Sequence, residues 1–361
     1  MAGLPTMVNA QPDSRFDVSL RIDYASAEET LNFFSRQTFN SQRVANLRGN
    51  QLAAATSIML ARTGRPAADL PHELELVRDN YETREDVYGL RYTQGHVQQL
   101  KQLLDETRKR QLDRRVIATI ASYFPANAVI SADIPVYVVV MGNEKAAAFV
   151  RRVVWRDDSP VFVGENEGEE VIVLNLARMA GPGQKVEQQF IQVLATLAHE
   201  SFHAVFGVYQ TNSAVWKEIH QRREPVRQLA EIVQNEGIAY YLSLQIQIGG
   251  HTPADQWFDG TARAVKLFNI AADELISPNT SQARANELIM NANLSGTFEG
   301  NYGATAGVRM AYEIDTRLGR PSLTETIAGG IMDFFGKYNT LCRQNSNLPR
   351  LDSDILDALR N

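Results

Sequence analysis

The segment Ala198-His-Glu-Ser-Phe-His-Ala204 constrains this chain more than any other, because it sets two of the six histidines four residues apart around a glutamate. On an α-helix, residues at that spacing lie about 40° from each other around the axis and one turn apart along it, so His199 and His203 can aim both imidazoles at one ion. By the same arithmetic Glu200 lies about 60° round from His203, too far to join them easily and close enough to reach a water held there. The flanking residues divide the helix into two sides. Val186, Phe190, Val193, Leu194, Leu197, Ala204 and Val205 share one stripe, and the histidines fall opposite, beside Gln188, Gln192 and Thr196. A polar cleft is therefore expected at the histidines. A chance motif on a surface helix is the plainer alternative.

Two histidines leave a catalytic zinc site one protein ligand short. Glu236, in Gln234-Asn-Glu-Gly-Ile-Ala-Tyr240, is the candidate for the third, after 32 residues that leave room for a connection and a second helix. Pro225 can start that helix, since its missing N–H costs nothing in the first turn. Val226, Leu229, Ile232, Val233, Ala239 and Tyr240 form its inward stripe, and Glu236 lies in the middle of it. A carboxylate there is costly to bury without a cation. A buried ion pair with an arginine, or a helix that leaves this patch exposed, would serve as well.

Around these motifs the periodicity changes twice. From Ser26 to about Phe124 apolar residues recur at helical spacing, as in Ala27, Thr30, Leu31 and Phe34 and again in Val97, Leu100, Leu103 and Leu104. Pro135 to Val140 and Glu170 to Leu176 are dense in β-branched residues and read as strands of a small sheet. After Gly181-Pro182-Gly183 the helical period returns almost to the end, interrupted near Gly249-Gly250 and Gly296 to Gly303. Met310, Tyr312, Ile314 and Leu318, then Ile327, Ile331 and Phe335, are read as core. The expectation is a predominantly helical α+β protein with a helical N-terminal subdomain, 1–125, and a catalytic domain, 126–361, able to form one continuous unit.

Composition narrows the partners. A chain of 361 residues, 44% hydrophobic, can bury one large core or two modest ones. The net charge of -6 is scattered, with no run of Lys or Arg dense enough to track a phosphate backbone, which argues against nucleic acid. The single cysteine, Cys342, leaves stability to packing. The densest apolar run, Val136 to Met141, is the length of one buried strand, so no integral membrane span is expected. Met1 to Gln11 lacks the charged and apolar regions of a secretory signal. A native cytoplasmic start and a mature start behind a removed signal both remain open, with the secreted or periplasmic form slightly favoured.

His199-Glu-Ser-Phe-His203 is the H-E-x-x-H signature of the zincins. Followed by Asn235-Glu-Gly-Ile-Ala239, it resembles the gluzincin branch of metallopeptidases, the group of thermolysin and the zinc aminopeptidases. The likeness covers Val171 to Leu244, roughly a fifth of the chain. It is most similar to a bacterial domain family of unknown function described as zinc-dependent peptidases, in which a helical N-terminal part precedes such a core. The resemblance implies a zincin-like core, Zn2+ on His199, His203 and Glu236, and Glu200 as general base. Two departures limit it. Position 240 is Tyr where the thermolysin pattern has an acidic residue, so the usual carboxylate support for a zinc-bound histidine must come from elsewhere. The G-x-M-E-N motif of the aminopeptidases is absent, so exopeptidase action is not implied.

The expected function is a zinc-dependent hydrolase, specifically a peptidase acting on a peptide or protein substrate. A zinc-bearing binding protein without turnover, and a hydrolase of a non-peptide amide or ester, are the rivals. Tyr302, in Gly300-Asn-Tyr-Gly-Ala-Thr-Ala-Gly307, is the candidate oxyanion donor, because a Gly-flanked Tyr opening a helix can lean into a cleft; simple packing at a helix start is the alternative. His220 is a second candidate. The strand Val171 to Leu176 reads either as the sheet edge on which an extended peptide pairs or as an ordinary core strand.

Overall fold

The computed structural model describes residues 15–61, 69–81, 86–142, 147–164, 167–181, 183–222, 224–293 and 301–360. Met1 to Gln11, Pro182 and Gly296 to Gly300, which the sequence reading uses, lie outside them.

Strands β1 (Arg15–Asp23), β2 (Val129–Val139), β3 (Ala148–Arg156), β4 (Ser159–Phe162) and β5 (Glu169–Asn175) form one mixed sheet in the order β1-β2-β5-β3-β4. The first three in that order run parallel, while β3 is antiparallel to β5 and β4 to β3. The β2 sequence is a continuous apolar run because both faces of an interior parallel strand are covered. Val136, Val138 and Val140 point into one core and Tyr137, Val139 and Met141 into the other.

β1 is a strand that the sequence reading does not foresee, although Phe16-Asp-Val-Ser-Leu-Arg-Ile22 alternates apolar and polar residues with a period of two. β3 and β4 are likewise unforeseen. They form a hairpin over Asp157 and Asp158, whose φ values of 47° and 58° suit the left-handed turn that fits twisted strands. The edge-strand reading of Val171 to Leu176 is corrected: β5 lies inside the sheet, paired to β2 on one side and β3 on the other. Its five residues from Val171 to Asn175 are buried, as an interior strand requires.

Helices α1 (Ala25–Phe34), α2 (Ser41–Ala45), α3 (Arg48–Ala61), α4 (Leu70–Arg78), α5 (Leu90–Gly95), α6 (Val97–Lys109) and α7 (Leu112–Ala121) fill the stretch between β1 and β2. α2 to α5 cover one face of the sheet, while α6 and α7 join the opposite core, which runs from Val18 to Leu359. A 3-10 turn, Leu176–Arg178, then leads to α8 (Val186–Asn212), α9 (Ala214–Gln221) and α10 (Pro225–Ile248). α11 (Asp255–Ile276), α12 (Gln282–Asn291), α13 (Tyr302–Leu318), α14 (Arg320–Gln344) and α15 (Ser353–Arg360) complete the chain. Met310, Ile314, Ile327, Ile331 and Phe335 are core as expected, whereas Leu318, in the last turn of α13, is 39% exposed.

α10 starts at Pro225 and ends at Gly249, whose φ of 58° is the left-handed conformation that glycine adopts freely. It packs between α8 and α13, and meets α13 backbone to backbone at Gly237 against Gly307. A Cβ on either glycine would fall inside the contact distance of the other helix's backbone. This crossing fixes the height and rotation of α10 at the residue beside Glu236. Gly237→Ala or Gly307→Ala is therefore expected to destabilise the protein by about 2 kcal/mol or more through overpacking. A urea melt should show the midpoint fall, and an unchanged midpoint would mean the helices can part without cost.

Candidate metal centre

The long α8 helix carries its polar cluster where it leaves the sheet and meets α10. Phe190, Val193 and Leu197 are buried, and Phe202, Val205 and Phe206 continue the buried surface one and two turns later. His199 and His203 are left on the flank, with side chains 12% and 17% exposed. The cleft is thus partly shielded but open to small molecules.

Three ligand atoms converge there. His199 Nε2 and His203 Nε2 are 3.0 Å apart, and Glu236 Oε2 stands 3.6 Å from the first and 3.3 Å from the second. Ligands at about 2.05 Å from a tetrahedral zinc ion are separated from one another by about 3.3 Å. The observed triangle has that size. Among the described residues, these three side chains are the group of histidines, cysteines and carboxylates that could hold a metal ion.

Each member is held from behind. Asn235 Oδ1 lies 2.9 Å from His203 Nδ1, which leaves Nε2 to face the shared point. His199 makes a hydrogen bond to the Ala239 backbone. Asn293 Nδ2 donates to Glu236 Oε1 and turns Oε2 toward the histidines. The support expected from a carboxylate comes instead from an amide and a main-chain group, and this is how α10 manages with Tyr at position 240.

The electrostatics follow from this crowding. Burial, and the second imidazole beside it, push His199 well below the ordinary histidine range. Burial also disfavours a charge on His203, but Glu236 outweighs it and raises that histidine. Burial would raise Glu236; the two histidines and the Asn293 amide hold it below the usual carboxylate range. Glu200 is pushed up to about 7, mainly by burial, with Glu236 adding to the rise and His203 and Arg151 opposing it.

The structure places the other candidates differently. Tyr302 does not lean into the cleft: it is 6% exposed and its hydroxyl donates to the Leu288 carbonyl at 2.8 Å, near the end of α12. A buried hydroxyl needs an acceptor, and the main chain supplies it. His220 sits 2.8 Å from Glu231, in the wall of a cavity of about 960 Å3 that flanks the cluster along α8 and α10. Tyr240, assigned by pattern to the inward stripe, is 39% exposed at the cleft. Its ring stands edge-on to His199 with centroids 4.5 Å apart, and Asn301 Nδ2 lies 3.4 Å from its hydroxyl. The neighbouring Tyr241 is the buried one. It donates to Asp315, which Arg320 grips at 3.0 and 2.7 Å, and this clamp sets the rotation that sends Tyr240 outward.

The sequence reading missed Asn235, Asn293, Tyr240 and Arg151 as parts of the site. Tyr240 stands one turn after Glu236, so helical spacing alone could have found it, whereas Asn235 is found only through its contact with His203 on α8. Asn293 and Arg151 arrive from other elements and leave no local signal. Among the described residues no helix is long and apolar enough to cross a membrane.

A predominantly helical α+β protein with a small mixed sheet and a cleft that gathers two histidines and a glutamate around one point is the class that this fold and site define. The chain belongs to the family described as "Putative zinc dependent peptidase (DUF5700)", whose model matches residues 42–347. No curated protein and no solved structure matched it.

For a metal held at this point, Asn235→Ala and Asn293→Ala are each expected to weaken zinc affinity about 10- to 100-fold, since orienting partners of a ligand carry that much. Competition with a chromogenic chelator measures it, and full affinity in both variants would show that the amides are bystanders.

Proposed function

We propose that this protein is a zinc-dependent peptidase of gluzincin type, with His199, His203 and Glu236 as metal ligands and Glu200 as general base. The observation that carries the reading is the triangle of ligand atoms, sized for one tetrahedral ion, with a carboxyl of raised pKa on the next residue of the same helix. Zinc, when bound, supplies a Lewis acid that makes a water acidic near neutral pH and polarises a substrate carbonyl. The reading takes the zincin-like catalytic unit as residues 126–361, with β1 of the N-terminal part continuing its sheet.

Glu200 takes the proton of the attacking water and returns it to the leaving amine, work that suits a carboxyl balanced near neutrality. Tyr240 takes the role that the sequence reading gave to Tyr302. Its ring already lies against His199 at the cleft, and a tyrosine hydroxyl, protonated at neutral pH, can donate to the oxyanion. The cavity beyond His203, lined in part by Ala204, Gly207, Arg152 and Glu170, gives an extended peptide room on one side of the scissile bond.

Metal content and turnover together test the reading. Glu236→Ala is expected to lose zinc, and Glu200→Gln to keep zinc while cleavage of a peptide library falls by roughly 10²- to 10⁴-fold. Equal zinc in the intact chain and Glu236→Ala would remove Glu236 from the metal. A chelator-sensitive esterase that leaves peptides uncut would replace the peptidase reading with that of a small-molecule hydrolase.

Tyr240→Phe removes one donor and leaves the ring. A fall in kcat of about 10²- to 10³-fold at nearly constant KM is expected. An unaltered kcat would return the oxyanion role to another group.

A further inference from the structure

Arg151 is a half-buried cation that no carboxylate pairs with at salt-bridge distance among the described residues. Its guanidinium is stacked near the rings of Phe149 and Phe162, 4.9 and 6.0 Å from their centroids. Nη1 donates to the Val150 carbonyl at 2.9 Å, while Nε is buried without a partner. β3 packs against α8, and Glu200 on that helix is the charged group that acts on the guanidinium. Burial lowers its affinity for its own proton, a sign of a charge short of compensation.

The sheet explains why it stands there. In antiparallel pairing, alternate residues turn their N–H and C=O groups to opposite sides of the strand. Ala147 gives its carbonyl to Asn175, on the β5 side, and Arg152 gives its carbonyl to Val163, on the β4 side. Ala148 and Val150 therefore turn their main-chain groups outward with Arg152, away from β5. β4 pairs only with residues from Val153 to Arg156, so the outer edge at Ala148 and Val150 has no strand partner among the described residues. Arg151 wraps over this edge and caps it at the Val150 carbonyl. A peptide laid along the edge could pair with Ala148 and with the Val150 N–H, and would then meet the guanidinium.

We propose that Arg151 is a specificity-determining residue that binds a carboxylate of the substrate beside the scissile bond. This rests on the peptidase reading above. A carboxylate is the anion that an unmodified peptide can offer, either at its C-terminus or on an Asp or Glu side chain, and a guanidinium fork matches it with two parallel hydrogen bonds. The cap on Val150 shortens the open edge, which favours a chain end over a side chain within a longer strand.

The test uses the full chain freed of metal by a chelator, so that nothing is cut, and an N-terminally labelled alanine-rich pentapeptide followed by fluorescence anisotropy. The peptide is offered as the free acid, as the C-terminal amide, and as amides carrying one Glu at each position in turn. The free acid is expected to bind about ten- to a hundredfold tighter than the plain amide, the size of a charge-assisted pair in a partly dry site. Arg151→Met should erase that difference and leave the amide's affinity alone, and Arg151→Lys should restore part of it. Tight binding of one Glu-bearing amide assigns the carboxylate to a side chain; tight binding of the free acid alone assigns it to the chain end. Equal binding of acid and plain amide by the unaltered chain, with no Glu-bearing amide tighter than either, overturns the proposal without any variant, as does a preference that survives in Arg151→Met, or no binding at all. Failure of the zinc-loaded protein to cut a peptide that it binds would instead overturn the peptidase reading and leave the carboxylate site standing.

Discussion

Two imidazole nitrogens 3.0 Å apart, with a carboxylate oxygen within 3.6 Å of both, form an arrangement that a partly buried site tolerates only around positive charge. Lone pair facing lone pair is repulsive, and desolvation deepens the cost. In the protein alone a proton relieves it. Glu236 lies nearer to His203 and favours its charged form, while burial and the second imidazole disfavour a charge on His199. A divalent cation would do the same work with more charge and release that proton on binding. The cluster is in this sense poised for a cation, and most of the surrounding structure serves to keep its three members from relaxing apart.

That restraint is distributed over several elements. α8 fixes the two histidines relative to each other by helical geometry alone, but Glu236 reaches them only if α10 lies at the correct height and rotation. The Gly237 and Gly307 crossing sets the height. The Tyr241, Asp315 and Arg320 clamp sets the rotation, and Arg320 is itself stacked 3.9 Å from the ring centroid of Tyr123. Asn293 then orients the carboxylate from the end of α12. The cluster of His199, His203 and Glu236 thus depends on helices that come late in the chain, far from the H-E-x-x-H motif.

This dependence explains what could be read from the sequence. The H-E-x-x-H helix was legible because its information is local, two residues one turn apart on an amphipathic segment. Glu236 was legible because a carboxylate inside an apolar stripe needs a reason. Tyr302 and Tyr240 could not be ranked, since which tyrosine reaches the cleft is decided by the rotation of α10 and by the Leu288 carbonyl that accepts from Tyr302. β1 carried a clean two-residue alternation, but its partner β2 lies more than a hundred residues away. Strand order is a tertiary property, and so β5, which reads equally as edge or interior, was settled only by the hairpin of β3 and β4 that covers it.

The same sheet order ties the N-terminal region to the strands that precede α8, since β1 pairs with β2. With β1 added beside β2 and β3 inserted beside β5, the strands that lead into α8 have no free edge of their own. Along the side of the sheet that carries β3 and β4, the main-chain groups of β3 left without a strand partner among the described residues are the short strip at Ala148 and Val150. A long edge would invite continuous strand pairing, with partner chains as readily as with substrate. A strip of two residues, capped by a guanidinium at the Val150 carbonyl, offers little length for such pairing. On this side of the sheet, the shortness of the open strip is what the β3–β4 hairpin leaves.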